Sequence, residues 1–180
     1  QKKSHKKYIE GKDIKKYQIS WRNIYINYQK DEMHRPKFPE LFENEKLIVR
    51  NISAREGLIT TLDQENYYTN DTVSLCVPWK CLQDVNTRGV RGTKSQILNS
   101  EKYNLKFLLG IMNSKLLNFY FKKMLSSTLH VYPEAIRNLP IYRINSNRKV
   151  QNILINATEE ILKLKKEIQS VPQNSDKWHK

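Results

Sequence analysis

Residues 104–125 constrain the chain more than any other stretch. Leu105, Leu108, Leu109, Met112, Leu116 and Phe119 recur at helical spacing, and Phe107, Ile111, Leu117 and Tyr120 widen the stripe. A helix apolar on most sides must be enclosed by other elements, so this one is expected at the centre of the fold. Asn104 suits an N-cap, because its side-chain oxygen can accept from free N–H groups of the first turn. Gly110 leaves room for a neighbouring strand or helix to approach closely. With 180 residues there is enough chain to build one domain around such a core.

The material to enclose it lies mainly in residues 40–77. Leu47, Ile48 and Val49 form a short β-prone run, and Leu58 to Thr61 a second. Val73, Leu75 and Val77 alternate with Thr72, Ser74 and Cys76, the period-2 pattern of a strand with one apolar face. Turn-like segments at 54–57 and 63–66 separate these runs, so a three-strand meander is expected. Residues 19–28 alternate as a further strand. Asp13 is placed to cap a short helix over 14–17, and Pro39 to start a helical turn. Pro36 and Pro39 interrupt the link between them. Residues 84–102 read as a long polar loop, 134–138 as a helical turn after Pro133, and 140–144 as an edge strand.

From residue 150 the pattern changes. Val150, Leu154, Ala157, Ile161, Leu164 and Ile168 are spaced 4-3-4-3-4, an a/d seam for helix packing or assembly. It spans under three heptads, so the helix must dock on the domain or on another helix. The expected class is α+β: a twisted mixed β-sheet packed on a buried central helix, with a C-terminal heptad-patterned helix. Residues 1–145 form the domain, with 1–7 as a basic arm. Residues 146–170 form a coiled-coil-like spacer helix and 171–180 a flexible tail.

Charge narrows the function. Lys and Arg number 32 against 18 Asp and Glu, a formal net charge of +14, and such a surplus attracts nucleic acid. Two cysteines are too few for a disulfide framework, and Cys76 and Cys81 lack the second pair of a zinc site. No signal peptide and no long apolar run is present, so a cytoplasmic protein without membrane contact is expected. The chain does not begin with Met and is expected to be part of a longer one. No glycine-rich cofactor loop follows a strand, no Asn-Pro-Pro-aromatic motif is present, and carboxylates do not cluster as a nuclease requires. The chain is therefore read as non-catalytic.

Several blocks then resemble a known family in order. They are GKDIKKY (11–17), RPKFPELFENEKLIVRNIS (35–53), YYTNDTVSL (67–75), LKFLLGIMNSKLLNFYFKK (105–123) and AIRNLPI (135–141). Together they resemble the TaqI-like C-terminal specificity domain, the target recognition domain of restriction–modification enzymes and adenine-N6 DNA methyltransferases. A helix like that at 150–169 follows related domains in type I specificity subunits as a coiled-coil spacer. The loop at 80–102 is longer than the family pattern. The resemblance implies a domain that selects a double-stranded DNA sequence for a methyltransferase or endonuclease domain outside this chain. It implies no cofactor here; S-adenosylmethionine, and Mg²⁺ for any nuclease activity, would belong to the parent enzyme. The expected partners are double-stranded DNA, the catalytic domains of the parent chain or complex, and a second helix.

DNA recognition separates phosphate contacts, which position, from base contacts, which specify. Lys12, Lys15, Lys16, Arg88, Arg91 and Lys94 are the phosphate candidates. Forked or bidentate groups read bases, which points to Arg50, Asn51, Arg55, Glu56, Gln64, Asn66, Tyr67, Tyr68 and Asn70. Two rival readings are a single-strand or RNA-binding module, with Tyr and Trp stacking bases, and a helix-mediated assembly module.

Overall fold

The computed structural model describes residues 5–52, 56–85, 87, 90–125, 130–144 and 148–171. Among the described residues eight strands occur: β1 (His5–Ile9), β2 (Ile14–Lys15), β3 (Gln18–Ile19), β4 (Tyr25–Asn27), β5 (Lys46–Arg50), β6 (Thr60–Asp63), β7 (Tyr68–Thr69) and β8 (Val73–Cys76). Five α-helices follow: α1 (Lys94–Lys102), α2 (Leu105–Asn113), α3 (Lys115–Tyr120), α4 (Pro133–Arg137) and α5 (Lys149–Ser170). The class is α+β, as expected, with the strands divided among three small sheets.

The order of the main sheet is β6-β5-β8, all antiparallel. It is not the expected meander, because β8 pairs with β5 and not with β6. Between them the chain detours through β7, which lies parallel to β1. The central strand β5 is buried on both faces. Leu47 and Val49 enter the larger core with Leu109, Met112, Leu117 and Phe121, while Ile48 enters a second core with Ile9, Ile14, Ile59 and Val73. The period-2 geometry of a strand divides them in this way.

The expected single helix over 104–125 is broken. Asn104 caps α2 by accepting from Lys106 N at 2.8 Å, but α2 stops at Asn113. Ser114 restarts the chain as α3, its Oγ accepting from Leu117 N at 3.1 Å, and a π-helical turn, Phe121–Leu125, follows. The break has a tertiary cause. Asn113 bonds both backbone groups of Thr60, accepting from N at 3.1 Å and donating to O at 2.8 Å. Asn118 accepts from Leu58 N at 2.6 Å and donates to Met112 O and Ser114 O. Two buried amides thus occupy the open edge of β6 and the segment leading into it, where polar backbone would otherwise be buried unpaired.

Other expectations shift as well. The strand at 19–28 is two short strands, β3 and β4, separated by a turn with Asn23 at φ 58°. Asp13 ends a 3-10 turn, Gly11–Asp13, and 14–17 is not helical. The loop at 84–102 is helical in its second half. Thr93 and Gln96 form a reciprocal capping box that starts α1. Residues 140–144 make no strand, and Pro140 there has no N–H to donate.

Helix α5 docks on α2 through a face one position away from the heptad set. Gln151 and Thr158 are buried, and Thr158 fills the notch at Gly110, where an added Cβ would lie 2.6 Å from Thr158 Oγ1. Lys106 pairs with Glu159 at 2.5 Å, and Gln169 Nε2 donates to Ile19 O at 2.9 Å. Of the heptad set, Leu154 and Ile161 are half-buried, whereas Val150, Ala157, Leu164 and Ile168 face outward. No helix among the described residues is long and apolar enough to cross a membrane.

One buried ion pair fastens the main sheet. Lys46 and Asp63, opposite each other on β5 and β6, meet at 2.5 Å with both side chains fully enclosed. Burial pushes the Lys46 ammonium toward its neutral form, and the Asp63 carboxylate opposes this. Lys46 Nζ also donates to the carbonyls of Phe42 and Asn44. Removing one partner leaves the other buried and unmatched. Lys46→Met is therefore expected to cost about 3–5 kcal/mol in denaturant unfolding, and Lys46→Met with Asp63→Leu less than the single change.

Candidate nucleic-acid interface

Sheet β6-β5-β8 has two ends of different electrical character. At the end where β5 begins and β6 finishes, acids and bases are matched. Lys6 meets Glu43 at 2.7 Å, Lys7 meets Glu65 at 2.7 Å, and Gln64 Nε2 donates to Glu45 at 2.7 Å. The Lys7 ammonium also lies 5.1 Å from the Trp21 ring centre and 5.6 Å from that of Tyr67.

The opposite end carries Asn51 and Ile52, Glu56 and Gly57, the turn over 70–72 and the segment entering α4. Asn51 ties them together. Its Nδ2 donates to Asp71 O at 2.7 Å, its Oδ1 accepts from Ser74 Oγ at 2.8 Å, and its backbone bonds Thr72 and Val131. Ile52 bridges to His130, whose ring stacks 5.8 Å from exposed Tyr132. Gly57, at φ 83°, closes the turn where only a residue without Cβ fits. An added Cβ would lie 2.2 Å from Asn118 Oδ1 and 3.2 Å from Lys122 Cε. Lys16 is half-buried nearby; burial, and then the charge of Lys122, push its ammonium toward the neutral form, with Glu56 opposing.

The expected site residues divide between the two ends. Lys12, Lys15 and Lys16 lie on the β2 side of the 51–57 end, and Lys12 is already paired with Glu10 at 2.7 Å. Arg91 and Lys94 belong to the opposite end, past β8, where Arg91 lines a cleft with Trp79 and Gly92. Arg55 and Arg88 lie outside the described residues. Arg50 is half-buried on β5 opposite Val73, and Glu56 is exposed. Gln64 and Asn66 are exposed, but β6 separates them from the 51–57 turn, so the two sets form no single tip.

Four expected base readers are instead engaged within the fold, Asn51 through the bonds above. Tyr67 and Tyr68 are both buried, with hydroxyls bonded to Glu65 at 3.4 Å and Glu43 at 2.8 Å. Burial and these carboxylates raise both phenols above their ordinary range. Tyr68 stacks on Phe42 at 4.4 Å. Asn70 Oδ1 accepts from Thr72 N at 3.1 Å and from its hydroxyl, which shapes the turn. The sequence reading missed Lys122, His130 and Tyr132. Lys122 was hidden because its helical stretch reads as scaffold, although the adjacent pair Lys122–Lys123 breaks that apolar pattern.

Residues 6–141 match the sequence pattern of the TaqI-like C-terminal specificity domain. The chain belongs to that family. The match spans all eight strands from Lys6 onward and helices α1 to α4, and it ends before α5. No curated protein matches the chain. A specificity domain of this family is a restriction–modification module and is generally non-catalytic. Among the described residues no three His, Cys, Asp or Glu side chains are grouped to hold a metal ion.

Acid sensitivity follows from the same charges. Burial alone would raise the Asp13 carboxyl, but bonds from Arg22 Nε at 2.6 Å and Glu10 N at 2.9 Å outweigh it and hold it below its ordinary 3.8. Pairing with Lys6 and Lys7 likewise lowers Glu43 and Glu65. Groups depressed in the fold stabilise it above their unfolded values, and that contribution is lost as pH falls through the folded ones. Thermal melting between about pH 5 and about pH 3 is expected to show a falling midpoint, less steep for Asp13→Asn than for the parent.

Proposed function

We propose that this chain selects a double-stranded DNA sequence and presents it to methyltransferase or endonuclease domains elsewhere in its enzyme. In this reading 1–145 is the recognition domain and α5 the spacer. Membership of the specificity-domain family over residues 6–141 carries the proposal. The net charge of +14 supports it, and the unequal sheet ends give it a direction. The 51–57 end is the one read as facing DNA, because Lys15 and Lys16 there have no carboxylate at ion-pair distance among the described residues, although Lys12 is paired with Glu10.

Base reading then falls to Arg55, Glu56 and Arg50, while Lys12, Lys15 and Lys16 hold phosphates. Asn51 and Asn70 act by fixing the turns, and Tyr67 and Tyr68 by packing. Arg91 and Lys94, at the other end, reach flanking DNA only if the duplex bends or extends that far, as does Gln64 or Asn66. The preferred site comes from selection out of a randomised duplex pool. Arg55→Ala is expected to cost about 1–3 kcal/mol on that site and to relax the preference, measured by competition between selected and scrambled duplexes. Lys16→Ala is expected to weaken both duplexes by the same factor. Tighter binding of single strands than of every duplex would overturn the reading.

The outward residues of α5 favour a second role alongside the first. Val150, Ile153, Leu164 and Ile168 leave an apolar strip on a helix already docked by its other side. A second helix, from another copy or from the catalytic domains, covers it in the whole enzyme. Leu164→Asp is expected to abolish any self-association seen by analytical ultracentrifugation without altering the melting temperature. A lower melting temperature with unchanged association would refute this role.

A further inference from the structure

A cleft of about 670 Å³ lies among residues 33–37, the aromatic stack behind β4 and the turn after β7. Small-molecule sites have this size, about 300–1,000 Å³. Much of its wall is apolar: Met33 and Pro36, Leu75 on β8, and Pro133 at the start of α4. Another part is aromatic and fixed. The half-buried Tyr28 ring lies 4.8 Å from Tyr68, which stacks on Phe42 at 4.4 Å, and the Tyr28 hydroxyl donates to Lys37 O. A ring held in this way is a platform on which a base can stack.

The charges around the cleft are segregated. His34, Arg35 and Lys37 line it from one short segment, all exposed, and none is within ion-pair distance of a carboxylate among the described residues. Asp71, on the turn after β7, is the one acid in the lining, and no described cation closes on it. The turn that carries it is firm. Asn51 Nδ2 donates to Asp71 O at 2.7 Å, and Asn70 Oδ1 accepts from Thr72 N at 3.1 Å. The basic segment holds strained backbone. Arg35 sits at φ 53°, in the left-handed region, although a residue before proline is driven toward extended conformations. Such strain clusters at ligand clamps, where the surrounding structure holds it in place.

An occupant that matches this lining carries an anion, a flat ring and a hydrogen-bond donor on the edge of that ring. We propose that the cleft takes a single nucleotide. Its phosphate meets Arg35 and Lys37, its base lies against Tyr28, and the amino group of adenine, cytosine or guanine donates to the Asp71 carboxylate. Thymine has no such amino group. The nucleotide comes either from solution or from a bound duplex, out of which it swings into the cleft; only the second source rests on the DNA-binding reading above. Asn51 and Pro133 line the cleft and belong to the sheet end read as facing DNA, so the two surfaces adjoin.

The test has two arms, both with the full chain. In the first, dAMP, dCMP and dTMP are titrated by calorimetry into the parent, Arg35→Gln and Asp71→Ala. Lys163→Ala on α5 serves as a charge control, and melting temperatures check folding; Asp71→Ser replaces Asp71→Ala if the latter melts early. The expected result is saturable binding, several-fold weaker for dTMP than for the other two. Arg35→Gln should weaken all three several-fold, and Asp71→Ala should erase the preference among them. In the second arm, a mixed-sequence duplex is compared with the same duplex carrying one unpaired adenine, which is cheap to extrude. Tighter binding of the bulged duplex, lost in both variants, identifies DNA as the source. Mononucleotide binding with equal affinities for the two duplexes identifies the free nucleotide. No saturable mononucleotide binding together with equal duplex affinities would overturn the site, as would binding that both variants leave unchanged. A parent that binds mononucleotide but no duplex would sink the DNA-binding reading and leave the cleft standing.

Discussion

The Lys46–Asp63 pair is the constraint on which the rest depends. It joins β5 to β6 in the dry interior, and both ions have further work. Lys46 gathers the carbonyls of Phe42 and Asn44, fixing the entry to β5. Asp63 accepts from Glu65 N at 2.8 Å and Tyr67 N at 3.0 Å, bending the chain out of β6. That bend delivers Tyr67 to the second core and Tyr68 to β7, beside β1. A buried charge pair adds little net stability over an apolar pair, because desolvation offsets the attraction. Here its geometry settles register instead: a slip of one residue in β6 would strand both charges in the core.

The second constraint is the treatment of β6's open edge. Asn113 and Asn118 act as substitute strand partners, which is why an apolar helical stretch is interrupted where it is. Scaffold and candidate interface are therefore continuous. The helix that supplies the edge cover also supplies Lys122, and the strand being covered leads back into the 51–57 turn.

Much of the fold was legible because it followed local rules. The β-branched run at 47–49 and the alternation at 73–76 gave strands; Asn104 gave a cap; Pro133 gave a helical turn; the repeat from 150 gave a helix. The start of α1 was also legible in Thr93 and Gln96, but the polar composition of the segment outweighed it. What escaped depended on partners distant in sequence. Strand order rests on β7 meeting β1, the helix break on Asn113 meeting Thr60, and the face of α5 on Thr158 fitting Gly110. The site was harder still, since a lysine's availability depends on which acid reaches it. Lys12 and Lys16 are four residues apart and look alike in sequence, yet one is paired with Glu10 and the other has no carboxylate at ion-pair distance among the described residues. Tyr67 and Tyr68 resembled exposed reading groups because consecutive strand residues ordinarily face opposite ways. Here cores on both sides enclose them.

Asn51 and Leu58 are fastened separately, one by the Asn51 bonds to Asp71, Thr72, Ser74 and Val131, the other by the bond from Leu58 N to Asn118, next to Gly57. The first fastening is made by a side chain of the sheet layer and the second by one of the helical layer. Loosening either attachment would therefore leave the other in place, since the two belong to different layers of the fold.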